Sequence, residues 1–76
     1  MPKFKRAIKG CPKEVRVSLY RQAEYLLQDL RHPSLRAKKY DEATGVWQAR
    51  VNRNYRFYFL IEDDTYILLD IRAHPK

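Results

Sequence analysis

The chain has 76 residues, one cysteine, and 16 Lys/Arg against 9 Asp/Glu, giving a formal net charge of +7 at pH 7. That length makes one small domain, residues 1–76, with a thin core, and the lone cysteine excludes an internal disulfide. No apolar run approaches the roughly 20 residues of a membrane span, and no secretory leader pattern follows Lys3, Lys5, Arg6 and Lys9, so a cytoplasmic protein is the expectation.

The charge is unevenly spread. Residues 1–40 hold 11 Lys/Arg and 3 Asp/Glu, whereas residues 41–76 hold 5 and 6. A basic half on a small domain points to a polyanionic partner, nucleic acid first.

Residues 2–10, PKFKRAIKG, read as a short helix with Phe4, Ala7 and Ile8 on one stripe and Gly10 ending it. Cys11 and Pro12 open a second helix, with Pro12 suited to the first helical position. The spacing carries it to about Leu30, with Val15, Leu19, Ala23, Leu26, Leu27 and Leu30 as its apolar face. Pro33 stops it, and His32 falls in the helix-ending turn. Residues 34–40, SLRAKKY, read either as a short edge strand or as a basic loop. Alternation puts Leu35, Ala37 and Lys39 on one side, and Arg36, Lys38 and Tyr40 on the other.

Three β runs follow: Val46 to Val51, Tyr55 to Ile61, and Thr65 to about Arg72. β-Branched and aromatic residues fill them, and the Asn and Asp of the short gaps make antiparallel turns. Period-two parity assigns Trp47, Ala49, Val51, Tyr55, Phe57, Phe59, Ile61, Ile67, Leu69 and Ile71 to the core. The opposite face then carries Gln48, Arg50, Arg56, Tyr58, Tyr66, Asp70, Arg72 and His74. This parity holds only for strands without a bulge, since one extra residue flips everything beyond it. The expected fold is α+β: an N-terminal helical hairpin packed on one face of a three- to four-stranded antiparallel sheet.

The polar face is the candidate site. One Cys and two His, His32 and His74, make no zinc site, and with glycines only at 10 and 45 there is no Gly-rich phosphate loop, so no metal and no cofactor is expected. Arginine presents a planar fork that matches phosphate. RNA cleavage can use the 2′-hydroxyl as nucleophile, leaving the protein to supply charge stabilisation and proton transfer. Arg50, Arg56 and Arg72 are placed to supply the charge and His74 the acid, with Arg36, Lys38 and Lys39 adding charge from the neighbouring segment. Arg53, in the Asn52-Arg53-Asn54 turn, joins the RNA-binding set. Tyr58 and Tyr66 are candidates to stack bases.

These residues, in this order, resemble the RelE/ParE-like toxins of type II toxin–antitoxin pairs. CPKEVRVSLYRQAEYLLQDLRHPSLRAKKY is similar to the family's helix and basic turn, and GVWQARVNRNYRFYFLIEDDTYILLDIRAH to its sheet. The Tyr55-Arg56 step, with His74 eighteen residues on, is the most specific piece. The resemblance implies a ribosome-dependent mRNA endoribonuclease that cuts in the A site by metal-independent 2′-hydroxyl attack, neutralised by a cognate antitoxin. Carried over by position, Arg56 is the transition-state arginine, Arg50 a basic position on the preceding strand, and His74 the general acid of YoeB-like members. Lys38 and Lys39 fall where the family carries basic residues.

The chain departs from the pattern in three places. Only Met1-Pro2-Lys3 precedes the first helical stripe, where the family carries a strand, and a sheet edge left open there invites a homodimer. Pro75-Lys76 replaces the residues that often follow the histidine. Ala37 stands near the position where some members place a general base. Two other readings therefore stand beside the first: a catalytically weak or inactive protein of this fold that only binds antitoxin or nucleic acid, and a ParE-like gyrase inhibitor.

Overall fold

The computed structural model describes the backbone of residues 2–73 and the side chains of residues 4–73. Two helices, α1 (Pro2–Lys9) and α2 (Lys13–Gln28), precede four strands, β1 (Lys38–Asp41), β2 (Val46–Arg50), β3 (Tyr55–Glu62) and β4 (Thr65–Ala73). The strands form one antiparallel sheet in the order β1-β2-β3-β4. The protein is therefore α+β. None of the described helices is long and apolar enough to cross a membrane.

The turns follow from local chemistry. Asp41 Oδ1 accepts the Ala43 N–H (3.0 Å) and Gly45, at φ 76°, closes the β1–β2 connection on the Asp41 carbonyl (2.9 Å). That positive φ is what glycine supplies without steric cost. Asn52 Oδ1 accepts the N–H groups of Asn54 (2.8 Å) and Tyr55 (3.0 Å), which turns β2 into β3. Asp63 takes φ 53° in the two-residue loop between Glu62 and Thr65, as a tight hairpin requires.

The core lies between α2 and one face of the sheet. Val15, Leu19 and Leu26 of α2 cluster with Leu35, Ala49, Val51, Phe57, Phe59 and Ile71, and Phe4, Ala7 and Ile8 of α1 pack around them. Phe57 and Phe59 are fully buried. Burying a phenylalanine contributes about 1.5–3 kcal/mol, a large share of what a domain this size has to spare.

Four sequence expectations are corrected, the first being Ile61 at the end of β3, which is expected inside and is exposed. α2 ends at Gln28 rather than Leu30: Asp29 turns extended (φ −162°) and its carboxylate accepts the Arg31 N–H at 2.9 Å, an alternative to the helical bond. The inward stripe of α2 is Val15, Leu19, Gln22 and Leu26, and Leu27, expected inside, is 75% exposed. In β4 the pairing runs Tyr58↔Asp70 and then Phe59↔Leu68, so Leu69 is an extra, bulged residue. The bulge reverses parity toward the start of β4. Tyr66 and Leu68 pack on the core, with Tyr66 edge-on to Phe59 at 5.8 Å, and Ile67 and Leu69 do not join it.

Residues 34–40 resolve into both alternatives. Residues 33–35 form a turn, and Lys38–Asp41 is an edge strand. The alternation holds as far as Ala37: Leu35 is fully buried and Ala37 packs on the core, whereas Arg36, Lys38, Lys39 and Tyr40 are all exposed.

Candidate nucleic-acid interface

Register brings three arginines into one row on the sheet face away from the core. Arg50 of β2 lies directly opposite Arg56 of β3, and Arg56 directly opposite Arg72 of β4. Like charges in directly facing positions destabilise a sheet. One carboxylate joins the row among the described residues: Asp70 Oδ2 accepts Arg72 Nε at 2.8 Å. That pair raises the Arg72 guanidinium above its ordinary pKa through the hydrogen bond and then the charge of Asp70. Desolvation first, then the charges of Arg50 and Arg36, push the Arg56 guanidinium below its ordinary value.

Backbone contacts hold this row in place. Arg56 Nη1 donates to the carbonyls of Asn52 (2.9 Å) and Tyr55 (3.0 Å), so one corner of its fork is pinned to the β2–β3 turn. Arg50 N–H donates to the Leu35 carbonyl (2.7 Å), and the Arg50 carbonyl accepts Gln22 Nε2 (2.8 Å). Gln22, buried in α2, also donates to the Ser34 carbonyl (3.0 Å) and accepts Ser34 Oγ (3.2 Å). One side chain thus ties α2, the 33–35 turn and β2 together. Arg36 follows at φ 48°, a left-handed position that costs a non-glycine residue about 1–3 kcal/mol. The anchored turn holds it there, near enough to Arg56 for their charges to interact.

The next row is Lys38–Gln48–Tyr58–Asp70. Tyr40 meets Tyr58 edge-to-face at 5.0 Å, and the Arg72 guanidinium lies 5.6 Å from the Tyr58 ring centre. Burial first, then Tyr40, raises the Tyr58 phenol above its ordinary pKa, which keeps its O–H a donor. The remaining predicted residues lie apart. Lys39 faces the other way, with Nζ 5.0 Å from the Trp47 ring centre. Arg53 is exposed at the β2–β3 turn. Tyr66 belongs to the core. His74 lies outside the described residues.

His32 and Cys11 carry structural duties. The His32 ring stacks on Tyr25 (4.0 Å, 5°), and its Nδ1 accepts the Ser34 N–H (3.2 Å). Cys11 Sγ donates to the Ala7 carbonyl (3.3 Å), and burial raises its thiol pKa against the lowering effect of Arg16. Among the described residues no cluster of His, Cys, Asp or Glu is arranged to hold a metal.

Two features escaped the sequence reading. Gln22 is polar and carries no hydrophobic signal, although 15, 19, 22 and 26 follow the 4-3-4 spacing of a buried helical stripe. Leu69 gave no signal at all, since a bulge is set by cross-strand pairing and not by residue type.

Fold and site together define an α+β protein with a four-stranded antiparallel sheet whose open face carries a row of arginines. The chain matches no protein-family model and no curated protein.

Proposed function

We propose that this protein is a RelE-like toxin of a type II toxin–antitoxin pair, an endoribonuclease that cuts mRNA in the ribosomal A site. The observation that carries the reading is the facing row Arg50–Arg56–Arg72. The charges of Arg50 and Arg36 bear unfavourably on Arg56, and a bound phosphodiester would offset them. In cleavage, the 2′-hydroxyl gives its proton to solvent and attacks the adjacent phosphorus, charge builds on the non-bridging oxygens, the P–O5′ bond breaks, and the 5′-oxygen leaves with a proton from the protein, the other product being a 2′,3′-cyclic phosphate. Arg56, pinned at one corner, stabilises the developing charge. Arg50, Arg72, Arg36 and Lys38 grip the flanking backbone, and His74 is the proton donor that the resemblance implies. The partners in this reading are the ribosome, its mRNA and a cognate antitoxin, with no cofactor.

A second reading, binding of antitoxin and nucleic acid without cleavage, draws on Asp70. This carboxylate is held by Arg72 and by its own strand, where Oδ1 accepts the Ile71 N–H at 2.9 Å. Its place beside Arg72 suits it to holding a ligand rather than to taking the 2′-hydroxyl proton.

Toeprinting of a ribosome stalled on a defined mRNA separates the two. The nuclease reading expects a new stop within the A-site codon that is absent with Arg56→Ala and absent on free mRNA. Folded protein that binds the ribosome and leaves the mRNA whole would establish the binding reading instead.

A further inference from the structure

The open face carries a recess that the arginine row does not account for. Two bulges flank Tyr58. In β1 the pairing passes from Lys39↔Trp47 to Asp41↔Val46, which makes Tyr40 the extra residue, and in β4 the extra residue is Leu69. Bulges re-aim side chains and interrupt a sheet surface. Here they open a hollow of about 190 Å³ lined by Tyr40, Asp41, Val46, Tyr58, Leu69, Asp70 and Arg72. Drug-sized ligands occupy clefts of roughly 300–1,000 Å³, so this one suits a single planar ring system. Its aromatic wall is Tyr40, 57% exposed and set edge-on to Tyr58. One end is the Asp70–Arg72 pair, and Arg72 also belongs to the arginine row.

We propose that this recess receives one unstacked base of a single-stranded RNA and prefers guanine; the inference rests on the reading that the arginine row holds an RNA backbone. Base–tyrosine stacking gives affinity without sequence preference, because every base has a π-face. The preference comes from the end pair. Asp70 uses each oxygen once, on the Ile71 N–H and on Arg72 Nε, and a carboxylate has about four acceptor positions. The free ones suit two adjacent donors, which guanine presents as N1–H and N2–H. The guanidinium of Arg72 keeps donors for O6, the pairing arginine makes with guanine in other complexes. Adenine offers one exocyclic donor beside an acceptor and fits this pair less well, and uracil offers a single ring N–H between two carbonyls.

The test is fluorescence-anisotropy binding of tetranucleotide RNAs, UUGU, UUAU, UUCU and UUUU, to the full chain at low salt. UUGU is expected to bind roughly tenfold tighter than the other three. Tyr40→Ala, at an exposed position, weakens all four by a similar factor. Asp70→Asn, which keeps an acceptor for the Ile71 N–H, brings UUGU level with UUAU. Equal binding of all four RNAs, with Asp70→Asn without effect on their ratio, overturns the recess while leaving the arginine row intact. No binding of any RNA overturns the recess and the reading it rests on together, and circular dichroism of each variant shows that the comparison is between folded proteins.

Discussion

Arg50 and Arg56 face each other across β2 and β3, and the same Arg56 faces Arg72 across β4. Arg72 is paired with Asp70, whereas the charges of Arg50 and Arg36 bear on Arg56 unrelieved, which works against stability and in favour of an anionic ligand. Arg50→Gln should therefore keep or slightly raise the melting temperature at low salt. It should also lower RNA affinity and reduce the slope of log K against log salt by roughly one phosphate contact. Added salt should raise the melting temperature of the parent protein more than that of Arg50→Gln, since screening relieves the same repulsion. Thermal melts at two ionic strengths, beside a salt titration of binding, measure both effects. A lower melting temperature with unchanged RNA affinity would assign Arg50 to the fold alone.

Gln22 sits on the far side of the sheet from the arginine row and should nonetheless affect it. Its amide satisfies the Ser34 and Arg50 carbonyls. Gln22→Met fills the same volume and removes those partners, and an unsatisfied buried carbonyl costs about 1–3 kcal/mol. Urea denaturation should show a loss in that range or somewhat above it. RNA affinity should fall as well, because the turn that holds Arg36 at its left-handed φ is released. A stability loss without any change in binding would mean that the turn keeps its place without the glutamine.

How far these features were legible in the sequence depends on whether local pattern or pairing sets them. The strands, their turns and the inward parity of Trp47, Ala49, Phe57 and Phe59 follow from alternation and from the Asn and Asp between runs, and the structure keeps all of them. Alternation also puts Arg50, Arg56 and Arg72 on one face, and the pairing agrees. That they form a single row is a matter of register, which no single strand encodes. The α2 stripe shifted because hydrophobicity alone favoured Leu27 over Gln22, and a glutamine with three hydrogen-bond partners is at home in a core where a bare one is not. The start of β4 differs from its alternation for another reason: Ile67 and Leu69 are as apolar as Tyr66 and Leu68, so composition does not reveal the bulge.

Alkaline pH should destabilise the protein through Tyr58 and Cys11. Both groups are raised above their ordinary values, first by burial. The native state then holds its protons where the unfolded chain has released them, so stability falls with rising pH. The contribution is complete below the unfolded values, about 8.5 for cysteine and 10 for tyrosine, and is lost as pH rises through the higher folded ones. Tyr58→Phe should flatten the upper part of a stability profile measured by urea melts between pH 8 and 11. The Cys11 thiol, which donates to the Ala7 carbonyl, should react with iodoacetamide more slowly in the folded protein than in urea at the same pH. Equal alkylation rates would show that its burial offers no protection.

Deleting Leu69 should leave the fold standing and close the recess. In β4 the inward residues are Tyr66, Leu68 and Ile71, with the bulge between the last two. Without Leu69, Leu68 stands two residues before Ile71, and plain alternation keeps all three side chains on the core face. The pairs Phe59↔Leu68 and Tyr58↔Asp70 then follow each other without interruption. Leu69 is only half-buried and stands outside the core cluster, so the melting temperature should shift little. Phe59→Ala, by contrast, empties a fully buried site and should cost about 3–5 kcal/mol, much of this domain's margin. A Leu69 deletion that melts like the parent and binds RNA with no preference for guanine would attribute the recess to the bulge. A deletion that unfolds the chain as Phe59→Ala does would show that the bulge is required for β4 to pair at all.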